Sequence, residues 1–259
     1  MKNMTRIIAV MNNKGGVGKT HTVFHLAGAF AEAGKRVLVI DLDPQGNLSS
    51  LFCPAPDPGK TLHAVLMDDA PLAQVAQKTD FENLWVIPSN PKLQSLDALL
   101  QNEPDAQIRL SDAIRELVNQ DASYDLILLD CPPSLALTTR NALAAAQRVI
   151  IPLEADKFSI DGLDTLLRVV ESMKRVVNPD LEIAGILISL FKGRRSIEQL
   201  YEEALRGRSL PVFTTVIKDS AKYREAITAR QPITHYKPTS EFAEAFRDLI
   251  KELEQAYVR

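Results

Sequence analysis

The stretch NNKGGVGKTH, residues 12–21, follows directly on the apolar run RIIAVM (residues 6–11) and runs into an amphipathic pattern from Thr20 to Ala33. A β-rich run, a glycine-rich turn and a helix in that order fit the pattern G-x-x-x-x-G-K-[ST], whose second half is Gly18-Lys19-Thr20. Gly15, Gly16 and Gly18 let the backbone wrap N–H groups around phosphate oxygens, and the positive end of the following helix adds to that field. In such a loop the lysine reaches the outer phosphates and the threonine hydroxyl ligates Mg2+. Two residues depart from the pattern. Asn13 stands where the first Gly belongs, and Asn tolerates left-handed backbone better than most residues. Lys14 brings a second ammonium. A loop lysine is ordinarily just solvated, and one short loop cannot easily aim two lysines at one phosphate. The simplest way for both to serve is for Lys14 to reach a phosphate held by a second copy of the chain.

Outward from this loop, short apolar runs alternate with helical patterns. RVLVIDL, LWVIP, DLILLD, RVIIPL, EIAGILIS and VFTTVI are apolar on both faces, as buried parallel strands are. Between them lie amphipathic stretches at 106–120, 135–146 and 160–177. The alternation predicts an α/β fold, a doubly wound and mostly parallel sheet with helices on both faces. The Pro-rich CPAPDPGKT after Phe52 reads as a surface loop, because the alternation resumes beyond it. Residues 1–259 read as a single domain. With the first strand starting at about Arg6, the expectation is that no N-terminal helix-turn-helix domain precedes it. Net charge is −3, so nucleic-acid binding would need a local patch. No uninterrupted apolar segment is long enough to span a bilayer. Two widely separated cysteines, Cys53 and Cys131, suggest neither a disulfide framework nor a metal cluster, and fit a reducing cytoplasm.

Asp130 ends LILLD at the carboxyl edge of a buried strand, where α/β sheets bind ligands. A strand-ending Asp is commonly a turn or helix cap; beside a phosphate loop the magnesium role prevails. Asp41 and Asp43, two apart in VIDLD, share a face if the strand stays extended.

KGGVGKT resembles the deviant Walker A motif of the ParA/MinD family of ATPases, and three more stretches agree. VLVIDLDPQGNLSS (37–50) looks like that family's switch segment, and YDLILLDCPPSLALTTRNAL (124–143) like its Walker B segment. RVIIPLEADKFSIDGL (148–163) is similar to the strand and helix that follow in ParA/Soj proteins. The resemblance implies a P-loop NTPase that holds ATP with Mg2+ through Lys14, Gly15, Gly16, Val17, Gly18, Lys19, Thr20 and His21. It makes Lys14 the signature lysine, touching nucleotide across a face-to-face dimer with two ATP molecules between the subunits. Thr20, Asp41 and Asp130 would serve the metal. Asp43 would orient the attacking water, with Lys14 and Lys19 as the other catalytic groups, and turnover would be slow without a partner. His21 replaces a second threonine expected near the α-phosphate, where its ring or backbone N–H would donate. Lys218, Asp219 and Ser220 replace a Pro-Arg-Asn-like stretch near the adenine. His21 and His25 have the spacing of a helical metal pair, without a third ligand in view.

Residues 191–230 hold nine Lys and Arg against five Asp and Glu in an otherwise acidic chain. Clustered cations neutralise phosphates without reading bases. A solvated basic face is the bland reading; the resemblance matches DNA-binding arginines to Arg194 and Lys222, with Arg195 and Arg224 beside them. The implied function is ATP-dependent partitioning of DNA or another cargo by a cytoplasmic, nucleoid-associated dimer. A ParB-like or adaptor protein would stimulate hydrolysis. The alternative is a MinD-like membrane-cycling regulator, which needs a basic amphipathic C-terminal helix. EFAEAFRDLIKELEQAYVR is amphipathic through Phe242, Phe246, Leu249, Ile250 and Leu253, but its polar face carries more acid than base, which suits packing onto the sheet.

Overall fold

The computed structural model describes residues 5–120, 124–192 and 196–257, with backbone alone at 158, 160, 161 and 196–198. Strands β1 (Arg6–Val10), β2 (Val37–Asp41), β3 (Gln77–Lys78), β4 (Leu84–Ile87), β5 (Leu126–Asp130), β6 (Arg148–Leu153), β7 (Glu182–Phe191) and β8 (Val212–Lys218) form one sheet. Their order is β3-β4-β2-β5-β1-β6-β7-β8. Every pairing is parallel except that of β3 with β4. The connecting helices are α1 (Lys19–Glu32), α2 (Asn47–Phe52), α3 (Leu62–Asp68), α4 (Leu72–Val75), α5 (Leu96–Leu99), α6 (Arg109–Asn119), α7 (Leu137–Ala145) and α8 (Lys157–Val176). They continue with α9 (Ser196–Arg206), α10 (Ala221–Thr228), α11 (Ile233–Tyr236) and α12 (Glu241–Ala256).

The two-residue period of a strand divides the core. Ile8 and Val10 of β1 face a layer with Phe24 of α1 and Phe246 and Leu249 of α12. Ala9 and Met11 face the opposite layer with Leu110 of α6, Leu143 of α7 and Leu166 of α8. β2 and β5 are buried along their whole length, which is why their sequences do not alternate. Helix α1 approaches the loop before α11 so closely that a Cβ at Gly28 would lie 2.2 Å from the Pro232 Cβ.

The apolar stripe of the C-terminal helix is spent in this core: Phe246 and Leu249 are fully buried, Leu253 nearly so. The rims of the sheet are blunted differently. β3 has only two residues. On β8, the Glu252 carboxylate of α12 accepts the Thr214 and Thr215 backbone N–H groups at 2.6 and 2.7 Å and the Thr215 hydroxyl at 2.6 Å. Helix α8 starts three residues before the expected Ile160, because Asp156 caps it by accepting the Ser159 N–H at 2.8 Å.

Candidate functional site

Parallel pairing in register sets Asp41 and Asp130 side by side at the carboxyl ends of β2 and β5, with Val10 of β1 opposite Asp130 on its other flank. The glycine-rich loop springs from β1 at this crest, the edge where α/β sheets bind ligands. Its left-handed turns fall at Gly16 (φ 80°) and Gly18 (φ 86°), not at Asn13, so the Asn replacement needs no unusual backbone. Gly18 precedes α1 without a side-chain cap, leaving first-turn N–H groups for an anion. Asn12 braces the loop: its Nδ2 donates to the Pro152 carbonyl at 2.7 Å and its Oδ1 accepts the Lys14 N–H at 2.9 Å. From β7, the Ser189 hydroxyl donates to the Val17 carbonyl at 2.7 Å.

The two lysines of the loop diverge. Lys19 is buried, and its Nζ donates to the Lys14 carbonyl at 2.9 Å, turned back over the loop. Burial lowers its pKa, with the nearby Asp130 charge opposing. Lys14 Nζ points away, to Asp156 at 2.8 Å, the Ser159 hydroxyl at 3.1 Å and Glu154 at 3.5 Å. Partial burial works to lower the Lys14 pKa, but the Asp156 hydrogen bond and the two carboxylate charges outweigh it and raise the value. The expected reach of Lys14 toward a second copy is thus replaced, in the single chain, by an acidic clamp at the start of α8.

The two strand-end carboxylates differ sharply. Asp41 is satisfied: Oδ2 accepts the Ser49 N–H at 2.8 Å and hydroxyl at 2.6 Å, and Oδ1 accepts the Asp43 N–H at 3.1 Å. Desolvation still pushes its pKa up to about 6. Asp130 is fully buried, and among the described residues neither oxygen has a hydrogen-bond partner within ordinary geometry; the Thr20 hydroxyl lies beside it. Desolvation, then the Asp41 charge, raises its pKa well above the usual range. A buried, orphaned carboxylate beside a hydroxyl is the donor set that a hard divalent cation completes. Asp43 lies further out, half-exposed, its Oδ1 accepting the Gln45 N–H at 3.0 Å.

Of the two donors expected at His21, the ring is turned away from the loop. It packs edge-on against His25 (centroids 4.4 Å apart) and Tyr223 (4.8 Å), with Nε2 buried and without a partner among the described residues. Burial lowers its pKa to about 4. The ring thus faces the α10–α12 layer and leaves the backbone N–H as the group available to an anion. His25 Nδ1 accepts the Ile233 N–H at 2.9 Å, so it anchors α11. Of the basic residues singled out, Arg194 and Arg195 lie outside the described residues. Lys222 pairs with Glu225 at 2.8 Å and Arg224 with Asp219, so both carry a carboxylate of their own chain. At the other departure, Lys218 pairs with Glu241 at 2.8 Å.

Sequence reasoning passed over Asn12, Ser49, Ser89, Glu154, Asp156 and Ser159. Four of these lie inside stretches quoted for their family likeness, and an Asn just past a strand is a turn signal.

Residues 5–183 match the family described as AAA domain. The chromosome partitioning protein ParA of Myxococcus xanthus is 38% identical over 250 residues, covering 96% of this chain and 87% of that protein. The sporulation initiation inhibitor protein Soj of Bacillus subtilis is 39% identical over 252 residues, covering 96% and 98%. Among solved structures, a Mycobacterium smegmatis protein described as cobyrinic acid a,c-diamide synthase, with ADP and magnesium bound, superimposes with a TM-score of 0.82. It is 32% identical and covers 98% of this chain and 96% of its own. Near-complete coverage at this identity, with the glycine-rich loop and its paired lysines at the sheet crest, means that the chain belongs to the ParA/MinD family of deviant Walker A ATPases, on its ParA/Soj side.

Proposed function

We propose that this protein is a partitioning ATPase that binds ATP with Mg2+, dimerises around it, holds DNA without reading sequence, and lets go on hydrolysis. One observation carries the nucleotide half: the orphaned Asp130 carboxylate, paired in register with Asp41 and faced by Thr20, under a loop whose α1 N-terminus is uncapped. Thr20 and Asp130 would hold magnesium directly, with Asp41 supporting the shell. Bound there, the ion would neutralise charge on the phosphate oxygens.

The backbone N–H groups of residues 15–21 orient the phosphates. Lys19 exchanges the Lys14 carbonyl for β- and γ-phosphate oxygens. Asp43, half-exposed at the crest, orients water for in-line attack on the γ-phosphorus. Lys14 leaves Asp156 and reaches the nucleotide of a second copy, which makes ATP part of the interface. Residues 1–259 act as one ATPase unit, a reading supported by the single continuous sheet of the described residues. Names of relatives support the cargo half: several are chromosome partitioning proteins or ATPases. The chain would act in the cytoplasm on the nucleoid, with a ParB-like or adaptor protein stimulating turnover. Against a membrane-cycling role stands α12, whose apolar face is buried.

The test measures Mg2+-dependent phosphate release, and retention of random duplex DNA and of anionic liposomes, each with and without ATP. ATP-dependent retention of DNA alone supports the reading. Liposome retention alone, or no phosphate release with either surface present, overturns it.

A further inference from the structure

Ser89 follows β4 and is buried, yet both its donors, N–H and hydroxyl, leave its own strand for the segment after β2. Its N–H donates to the Ser49 hydroxyl oxygen at 2.8 Å. That same Ser49 hydroxyl donates to Asp41 Oδ2. The Ser89 hydroxyl donates to the backbone carbonyl of Asp43, a contact across 46 positions of sequence. The Asp43 carbonyl also accepts the Gly46 N–H at 2.9 Å, in a turn that Gly46 closes at φ 65°. One peptide oxygen is therefore held by two donors, from the turn below and from Ser89 beside it.

The consequence concerns aim. Fixing the Asp43 carbonyl fixes the peptide plane from which its side chain departs, and the Asp43 N–H is separately held by Asp41 Oδ1. With both backbone ends of the residue tied, the half-exposed carboxylate keeps only its own side-chain torsions, which the Gln45 N–H on Oδ1 narrows further. A group that must meet a water molecule in line with phosphorus needs that restriction, because loosening by a fraction of an ångström lowers the rate. We propose that Ser89 is a positioning residue for hydrolysis: its hydroxyl sets the direction of the Asp43 carboxylate, and its N–H, through Ser49, steadies Asp41. This inference rests on the ATPase reading above.

The experiment compares wild type, Ser89→Ala and Ser89→Thr in Mg2+-dependent phosphate release, with thermal melting as a check of folding and amide exchange over residues 43–47. Ser89→Ala should lower kcat about tenfold, the weight of one neutral hydrogen bond, while KM for ATP stays within about twofold. Ser89→Thr, which keeps the hydroxyl, should restore most of kcat. Amide exchange at 43–47 should quicken in Ser89→Ala and not in Ser89→Thr. Unchanged kcat in a folded Ser89→Ala, a loss confined to KM, or no recovery with Thr overturns the proposal. So does unchanged exchange, which is readable without turnover. Absence of phosphate release in wild type refutes the ATPase reading instead, which separates the two failures.

Discussion

The Lys14 ammonium lies 2.8 Å from the Asp156 carboxylate of its own chain, although 142 positions separate the two residues. Both side chains are about one-third exposed, 37% and 33%, so the pair is screened and worth only ~0.5–1 kcal/mol. Such a latch can hold a lysine and still release it. Asp156→Asn should retain the helix cap and weaken the charge, freeing Lys14. ATP-dependent dimers should then appear at about two- to fivefold lower protein concentration. Light scattering of wild type and variant with ATP and turnover blocked checks this; an unchanged midpoint removes the latch. Lys14→Ala, in contrast, should bind ATP and fail to dimerise.

Asp43→Ala should lower phosphate release by about 100-fold or more while ATP affinity changes less than about twofold. The variant should accumulate as ATP-bound dimer. Single-turnover phosphate release beside nucleotide binding tests it, and normal turnover rules out the assigned role.

His25 is held neutral by burial, with the neighbouring His21 adding to the effect, so its pKa lies well below 6.5. A depressed histidine takes up its proton more readily in the unfolded chain. Its effect is nil above about pH 6.5, and below that it turns against folding. His25→Asn removes the titration. The stability of wild type relative to the variant should fall by up to ~1.4 kcal/mol for each pH unit below 6.5. Denaturant unfolding from pH 7 to pH 5 measures this; parallel curves exclude it.

Gly28→Ala sets two effects against each other. Alanine in mid-helix gains about 1 kcal/mol over glycine, but overpacking costs about 1–3 kcal/mol. A 2.2 Å approach to a ring-locked proline atom leaves little room to relax, so the clash should win. The expected outcome is a net loss of ~1–2 kcal/mol in chemical denaturation.

Lys222 is neutralised by Glu225 at 2.8 Å. If Lys222 contacts phosphates, Glu225→Gln should tighten ATP-dependent binding to random DNA at low salt, by about two- to threefold. Lys222→Glu should weaken it. Gel retardation decides, and identical affinities for all three proteins remove Lys222 from the interface.

Much of this site was legible because its chemistry is local. The turn Gly15–Gly18, Lys19 and Thr20 lie in one stretch, and Asp130 closes an unbroken apolar run whose burial follows from its composition. What was not legible depends on strand order. Asp156 meets Lys14 because β6 pairs beside β1, and Ser89 meets Asp43 because β4 pairs beside β2. Neither pairing is written in residue spacing. The direction of the His21 ring was hidden for a related reason: it is set by Tyr223 and Phe246, residues far along the chain that reach α1 only after the sheet is assembled. β3 escaped notice because two residues carry no periodicity.

The grip of Glu252 on Thr214 and Thr215 bears on how such molecules gather. A bare outer strand invites a neighbour to zip on and continue the ribbon sideways, the first step toward a fibre. Here that invitation is declined by a side chain on one flank and by brevity on the other. Crowding many copies on a shared surface, as cargo transport would demand, then carries little danger of their sheets fusing.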